Sequence, residues 1–504
     1  MKNILIKNSI FGLIQTLTNI FLVFWVVPIF IRMLGSQAYG VFALVMVFGN
    51  LNTFTSLGLN NALVKFIAEQ GKSEKSHVDI AVNLILVLGL ALLTTIIVLI
   101  LNKFILIDIL NIPLKIYPEA KWLYFWVVLA NFLLIIGQVF KSILDALQKI
   151  YITSLQQVIY NFLYWSLILV FLFLGLNLPA IGLAIFISAF IWLIITTISS
   201  LKEWGKISFN GVKINFKNSM RKQLKYGVKI YTSGLIGFFY EPFSKVLISN
   251  YIGITEVGFY DIALKLRNQL WSFIAKAFFP LFPFIAEQKD KTVVRKYVHD
   301  LEQKTFLIII PIIVIVILLM NPFVKIWIGE NVEIISITAI FIISFHLVGS
   351  STVIPIYQFL MAKDLAHKTI FIQLSNVIFN TLFFLVSVQF FGYYALIVGN
   401  VAAITSSFIL CLYYQKKYLD SLIFDSLSQL LKVIASFIIL LLMGFLIKML
   451  LNDHYIFIFP LIPLIILLTT IILYRILGLV RLEDIYRYFG VNNKISKVLK
   501  FIYH

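Results

Sequence analysis

Apart from Lys229 and Glu256 near the segment ends, six charged residues lie inside two apolar segments of the chain, where a charge is expensive and therefore informative. They belong to the segments 226–250 and 256–284 and are Lys245, Lys265, Arg267, Lys276, Glu241 and Asp261. A charge at the centre of a membrane helix costs about 2.5–3.5 kcal/mol, so such residues normally face water or a partner. The chemistry open to this set is the binding of an anion by the cations and of a proton or metal cation by the acids.

A polar stripe runs along the segment 256–284. Its members are Asp261, Lys265, Asn268, Gln269, Ser272 and Lys276. At about 100° per residue these positions share one face of a helix, which predicts water along that face. In the segment 226–250, Glu241 and Lys245 are one helical turn apart, and the intervening Pro242 predicts a kink.

Two interpretations of the charges stay open. In the first, each acid pairs with the lysine one turn later in its own segment, which leaves Arg267 and Lys276 as surplus cations. In the second, the site is a receptor for an anion such as a phosphate group, bound by Lys245, Lys265, Arg267 and Lys276.

Glu241 and Asp261 are then candidates for carrying a coupling proton or sodium ion. The chain contains no phosphate-binding loop of the G-x-x-x-x-G-K-[ST] type, no H-E-x-x-H and no G-x-S-x-G. Its single cysteine, Cys411, excludes an internal disulfide and a cysteine-based metal site. We therefore expect a protein that is not an enzyme and that uses no cofactor beyond a coupling ion.

The composition predicts that lipid is the solvent of this chain. Of its 504 residues 61% are hydrophobic and 12% are charged, and the mean hydropathy is +0.99. Stretches of about 20 apolar residues predict an all-α membrane protein with 14 transmembrane helices. They include 38–62, 226–250 and 256–284. With both termini in the cytoplasm, 31 of the 41 Lys and Arg fall in cytoplasmic segments, so the net charge of +19 indicates basic loops and not nucleic-acid binding.

An internal repeat indicates two halves of equal orientation. Residues 34–70 align with 252–288 without a gap, and the run Phe66–Gln70 recurs as Phe284–Gln288. The shift corresponds to six helices, which predicts two parallel six-helix lobes related by an axis along the membrane normal. The predicted domains are an N-terminal lobe (1–200), a basic cytoplasmic linker (201–225), a C-terminal lobe (226–417), an extra helix pair (418–480) and a basic amphipathic tail (481–504).

The block Leu34–Phe42, followed by Leu57-Gly58-Leu59 and Phe66-Ile67-Ala68, resembles the Wzx-type polysaccharide flippases. These belong to a superfamily with the lipid II flippase and the multidrug extrusion transporters. The resemblance implies lobes around a central cationic cavity. It also implies a role in O-antigen or other surface polysaccharide biosynthesis, namely flipping an undecaprenyl-pyrophosphate-linked oligosaccharide from the inner to the outer leaflet by alternating access.

The same resemblance implies a multi-pass protein of the bacterial cytoplasmic membrane, with membrane lipid around it and with glycan polymerases or glycosyltransferases as partners. The family's cationic position maps onto Lys265 or Arg267. An ion-coupled multidrug antiporter on the same scaffold is an alternative, although such a transporter of organic cations is expected to have a cavity with net negative charge. A membrane glycan polymerase is a further alternative, although such an enzyme is expected to have a large outer loop with catalytic polar residues.

Overall fold

The structure, a computed structural model, describes residues 2–49, 56–278, 281–288, 290–363, 365–424, 426–451 and 455–480. Within these ranges the regular structure is helical and no β-strand occurs, which confirms the prediction of an all-α protein. The helices of the first part are α1 (Lys2–Gly49), α2 (Leu59–Gln70), α3 (Glu74–Ile100), α4 (Tyr117–Ala146), α5 (Ile150–Phe173), α6 (Leu178–Trp204), α7 (Val212–Phe238), α8 (Glu241–Tyr251) and α9 (Ile254–Ala277). Those of the second part are α10 (Leu281–Glu287), α11 (Lys291–Trp327), α12 (Val332–Ala362), α13 (Ala366–Phe391), α14 (Ala395–Leu419), α15 (Leu427–Leu450) and α16 (Tyr455–Ile476).

Ten helical stretches in the described residues are long and apolar enough to cross a membrane. One of them, His367–Leu419, contains two predicted spans, 368–390 and 393–415, and another, Ile10–Gly49, covers nearly all of the predicted span 9–32 and the first part of 38–62. Large apolar side chains on these helices are exposed, for example Phe21 at 61% and Leu446 at 61%. Exposed apolar side chains in such numbers fit a lipid-facing surface, and the chain is a multi-pass membrane protein. The number of 14 spans stays a prediction.

The chain divides into two compact units. Unit 1 comprises Met1–Asp261 with Ser387–Leu396, and unit 2 comprises Ile262–Val386 with Ile397–His504. One boundary therefore falls inside α9, between Asp261 and the next residue. The predicted lobe limits at 200 and 226 stay a prediction.

Unit 1 is built around the packing of α4 on α6 and of α1 on α5. A buried apolar cluster joins α2, α3 and α4 through Leu63, Val87 and Val139. The helix α7 packs against both α2 and α3. This places the segment predicted as a cytoplasmic linker and the beginning of the next span against the first helices of the chain.

Unit 2 contains a long central helix, α11, that packs on α12, α15 and α16. Leu318 of α11 is fully buried in a cluster with Leu440 of α15 and Ile462 of α16. The helix pair α15–α16, predicted as an addition to the six-helix lobe, is thus packed on α11 by ordinary apolar side chains.

The helical path breaks inside two predicted spans and also in a loop predicted between two spans. In α1 the helical path breaks at Gly35, whose φ of 81° and ψ of 163° suit glycine alone. The predicted span 38–62 is interrupted at Leu57 and Gly58, which have positive φ and lie directly before the start of α2 at Leu59, while residues 50–55 of that span lie outside the described residues. The predicted span 226–250 is divided between α7 and α8.

Candidate functional site

The break between α7 and α8 has a clear cause in the sequence. Pro242 lies in the first turn of α8, where its missing N–H and fixed φ are tolerated, whereas it would break a continuous helix. The predicted kink is therefore a complete interruption. Glu241 opens α8, and an acid in the first turn interacts favourably with the helix dipole.

Asp261 of α9 is the centre of a buried polar cluster in unit 1. Its carboxylate is 6% exposed. Lys245 of α8 donates to Oδ1 over 2.6 Å, and the hydroxyl of Tyr39 in α1 donates to Oδ2 over 2.8 Å. The Lys245 side chain is 14% exposed, so both charges of the pair are largely removed from solvent. The Asp261–Lys245–Tyr39 cluster joins three helices at one carboxylate.

The close approach of α1 and α9 at this cluster depends on Gly40 and Gly258, which are equivalent in the repeat. A methyl group on Gly40 would overlap the carbonyl oxygen of Ile254, and one on Gly258 would lie 3.3 Å from the carbonyl oxygen of Ser36. Ser36 and Ile254 are themselves equivalent at the repeat offset of 218, so the contact is reciprocal, as at a two-fold axis. The repeat found in the sequence thus has a structural counterpart in unit 1.

Among the cations of the predicted site whose side chains are described, Arg267 is the most deeply buried, and it lies in unit 2. Its side chain is 2% exposed. The guanidinium donates to Oδ1 of Asn268 from Nε over 3.2 Å and from Nη2 over 2.5 Å. The rings of Trp271 and His346 lie 6.1 Å apart, centroid to centroid, and join α9 to α12 in the same unit. A buried guanidinium among aromatic and imidazole rings is a group that can bind a carboxylate or phosphate through two parallel hydrogen bonds.

The other predicted site residues lie on α8 and α9. Lys265 is half-buried and Asn268 is exposed on α9, while Glu241 is half-buried on α8. Lys276 lies on α9, but its side chain is outside the described residues. The structure brings Lys245 to Asp261 rather than to an acid of its own helix, and the roles of all six residues in binding stay a prediction.

Tyr39 is the functional candidate that sequence reasoning missed. It lies in the repeated block, where its equivalent in the second copy is Val257, so one copy carries a hydroxyl that the other lacks. That difference was a signal in the sequence, although its meaning depends on the position of Asp261.

A second buried carboxylate, Asp79 of α3, was also missed. It is 4% exposed and accepts hydrogen bonds from Ser219 over 2.5 Å, Gln70 over 3.0 Å and Lys222 over 3.3 Å. The Gln223 amide donates to the Asp79 carbonyl oxygen over 2.9 Å. This network ties α3 to α2 and α7 and gives both carboxylate oxygens of Asp79 a donor, which indicates a structural role.

The Asp261–Lys245–Tyr39 cluster and the buried Arg267 can do different chemistry. Asp261 holds Lys245 in a low-dielectric setting, so protonation of the carboxylate would release a cation for another ligand. Arg267 offers a fixed fork for an anion. In the described ranges, no group of three or more His, Cys, Asp or Glu side chains could hold a metal ion.

Comparison with known proteins places this geometry in context. Residues 5–289, just over half of the chain, match the family described as "Polysaccharide biosynthesis protein". A protein of Shigella flexneri described as "Putative O-antigen transporter" is 22% identical over 332 residues, which is 66% of this chain and 78% of that protein.

Solved structures share the fold. The lipid II flippase MurJ, in an inward closed conformation, aligns with a TM-score of 0.68 at 17% identity, over 96% of this chain and 99% of that one. An inward-facing multidrug resistance transporter of the MATE family aligns with a TM-score of 0.61 at 15% identity, over 82% of this chain and 98% of that one. Identities this low establish the arrangement of helices and leave the ligand to be argued from the side chains.

Proposed function

Because the chain belongs to the family of polysaccharide biosynthesis proteins, we propose that it is a flippase for undecaprenyl-pyrophosphate-linked oligosaccharides. It acts in the bacterial cytoplasmic membrane, with both termini in the cytoplasm, and moves its substrate from the inner to the outer leaflet by alternating access. The observation that carries the proposal is the burial of Lys245, Asp261 and Arg267 in helices of a membrane protein that is otherwise apolar.

The substrate explains why such groups are needed. Each sugar hydroxyl that enters hydrocarbon without a hydrogen-bond partner costs several kcal/mol, so an oligosaccharide meets a barrier of tens of kcal/mol by that estimate. A polar path through the protein removes this barrier while the polyprenyl tail remains in lipid. The chain therefore acts as a transporter and makes or breaks no covalent bond.

The pyrophosphate is bound by the cations of α8 and α9. Arg267 supplies a bidentate fork, and Lys245, Lys265 and Lys276 supply point charges. Since Lys245 is held by Asp261 at 2.6 Å, the substrate must compete with this carboxylate for the ammonium group. Binding and the charge state of Asp261 are therefore linked.

That linkage couples substrate binding to the charge state of Asp261. Protonation of Asp261 removes the charge that holds Lys245 and so favours the anionic substrate, whereas deprotonation restores the pair and favours substrate release. Because proton and substrate then bind together, an inward proton gradient would not by itself drive export through this pair. Glu241, at the start of α8, is the second candidate for carrying a proton or sodium ion.

The test is complementation of cells that lack their own flippase, with surface polysaccharide as the readout. Lys265, Arg267 and Lys276 are replaced by Ala, singly and together, and singly by the other basic residue. We expect the triple variant to lose surface polysaccharide, and Arg267→Lys to lose more than Lys265→Arg, because only arginine offers the fork. The matched control is Lys417→Ala, an exposed lysine at the end of α14.

Undiminished polysaccharide in the triple variant would reject the pyrophosphate role of these cations. Failure of the unaltered chain to restore any polysaccharide, although it reaches the membrane, would reject the flippase itself.

A multidrug antiporter is the second candidate, because the fold is shared with MATE transporters and a buried carboxylate is available in Asp261. Efflux of a cationic dye from cells that express the chain, lost in Asp261→Asn, would support this candidate. The excess of cations in α8 and α9 favours the flippase.

A further inference from the structure

A second charged cavity lies in unit 2, at the end of the helices opposite to the outer loops in the predicted topology. It measures about 470 Å³ and lies between the start of α11, the end of α14 and the residues that follow α14. The side chains that matter here are Arg295, Lys296, Lys416, Asp420 and Phe424.

The cavity has a surplus of positive charge. Arg295, Lys296 and Lys416 are cations and Asp420 is the one acid among the lining residues that the structure describes, so their formal sum is +2. Lys416 donates to Asp420 over 2.8 Å, and the Arg295 guanidinium lies 3.8 Å from the same carboxylate. The hydrogen bond from Lys416, with the charges of Lys416 and Arg295, holds the pKa of Asp420 below its usual value.

These ion pairs are too exposed to hold the charged groups of the cavity tightly. The side chains of Arg295 and Asp420 are 49% and 68% exposed, and exposed pairs of this kind contribute little to stability. An anion that enters the cavity can therefore take over the guanidinium and the ammonium groups at little cost.

The repeat provides a natural comparison. At the offset of 218, Glu74 and Val78 of α3 correspond to Thr292 and Lys296 of α11. A cavity of about 450 Å³ in unit 1 shares this wall at the start of α3, whereas its other wall, residues 210–222, is not the repeat equivalent of residues 416–424. Its charged lining residues are Glu74, Asp79, Lys75 and Lys222, two acids and two lysines. The related cavity is thus balanced in charge, and the positive surplus is a property of unit 2.

We infer that the cavity of unit 2 binds the phosphate of an anionic lipid head group. Arg295 provides a fork for two phosphate oxygens, and Lys296 and Lys416 provide further charge. Basic pockets between the cytoplasmic ends of membrane helices are suited to anionic head groups. Phe424, fixed by its ring contact with Phe306 at 5.3 Å, offers an apolar wall to the lipid beyond the phosphate.

This site is separate from the cations of α8 and α9 and goes beyond the proposed transport function. The predicted topology places this site at the inner leaflet. The inference that it binds a phosphate group rests on the side chains of the cavity and does not depend on the topology. A phosphate on a lipid and a free phosphate offer the same oxygens, so the experiment must separate the two sources.

The test is native mass spectrometry of the full chain in detergent, with phosphatidylglycerol, phosphatidylcholine or inorganic phosphate added. We expect phosphatidylglycerol to bind in preference to phosphatidylcholine. Arg295→Gln, Lys296→Gln and Lys416→Gln should each weaken phosphatidylglycerol binding about fivefold, as follows from about 1 kcal/mol per basic residue, and the triple variant should lose more. Arg295→Lys should be intermediate, because it keeps the charge and loses the fork.

Two lysines serve as matched controls. Lys417→Gln removes a charge next to the cavity without touching its lining, and Lys75→Gln removes one from the balanced cavity of unit 1. Both should bind phosphatidylglycerol as the unaltered chain does. The single variants keep the test valid if the triple variant does not fold.

Equal binding of phosphatidylglycerol by the unaltered chain and the Arg295, Lys296 and Lys416 variants would overturn the inference, as would an equal loss in Lys417→Gln. Displacement of the lipid by inorganic phosphate at similar concentration would also overturn the lipid assignment and leave a site for soluble phosphate.

Discussion

Asp261 shows how much depends on one side chain in this protein. The carboxylate accepts a hydrogen bond from Tyr39 of α1 and another from Lys245 of α8. Removing one partner of a buried ion pair leaves a charge without compensation, at a cost of about 3–5 kcal/mol, whereas removing both is often mild. The pair is therefore expected to behave as a unit and not as two independent contributions.

A double-mutant cycle tests this expectation. We predict that Asp261→Asn and Lys245→Met each lower the thermal stability of the purified chain, and that the double variant is less destabilised than the sum of the two. Tyr39→Phe should cost about 1–3 kcal/mol, because it removes a donor to a buried carboxylate. The measurement is the melting temperature in detergent. Additive effects of the two single variants would show that the ion pair does not contribute as a unit.

The sequence identified the charged residues of the site but not their geometry. Lys245, Asp261 and Arg267 stand out because charges are rare in apolar segments. Tyr39 is 222 residues from Asp261 in the chain, and no local pattern reveals such a contact. The pairing of Lys245 with Asp261 likewise depends on how α8 and α9 lie against each other, which helical spacing within one segment cannot show.

At the scale of the helices, hydropathy predicted where apolar chain occurs but not where its helical path stops. The span 226–250 reads as continuous because the residues at its interruption, Phe239 and Tyr240, are aromatic and are tolerated in a membrane helix. Pro242 indicated the interruption between α7 and α8, because proline is tolerated in the first turn of a helix and breaks a helix interior. The break at Gly35, in turn, fell within a loop predicted between two spans.

The glycines of the repeat make the crossing of α1 and α9 sensitive to a single methyl group. We predict that Gly40→Ala destabilises the chain more than Gly258→Ala, because a methyl group on Gly40 overlaps a backbone carbonyl, whereas one on Gly258 needs a shift of a few tenths of an ångström. Overpacking of this kind costs about 1–3 kcal/mol. The readout is again the melting temperature.

Gly89 of α3 provides the control for that comparison. A methyl group there meets no atom within 4 Å, so Gly89→Ala should be neutral or stabilise the helix by up to about 1 kcal/mol. A loss of stability in Gly89→Ala equal to that in Gly40→Ala would show that the effect is not due to close packing.

At the scale of the whole molecule, composition determines the class of protein and charge asymmetry predicts its orientation. The apolar composition predicted a helical membrane protein, and the structure confirms this. The number of spans is harder to predict, because α7 to α9 carry polar and charged residues that reduce their hydropathy. Among these helices, α8 and α9 carry the candidate site. The charged residues proposed to bind the substrate are therefore also the residues that lower the hydropathy of these helices.

The predicted orientation can be tested with cysteines, since Cys411 is the single cysteine of the chain and is buried. In a Cys411→Ala background, Lys115→Cys places a thiol on an exposed residue before α4, and Lys206→Cys places one on an exposed residue after α6. Because 31 of the 41 basic residues fall on one side in the predicted topology, that side should be cytoplasmic.

A membrane-impermeant maleimide should therefore label Lys115→Cys in intact spheroplasts and Lys206→Cys only after permeabilisation. The reverse pattern would invert the topology. It would also place the cationic cavity of unit 2 at the outer leaflet, so that substrate and anionic lipid would have to meet the protein from opposite sides to those proposed. Labelling of both thiols in intact spheroplasts would mean that an odd number of crossings is wrong for the segment between residues 115 and 206, since two sites on the same side require an even number.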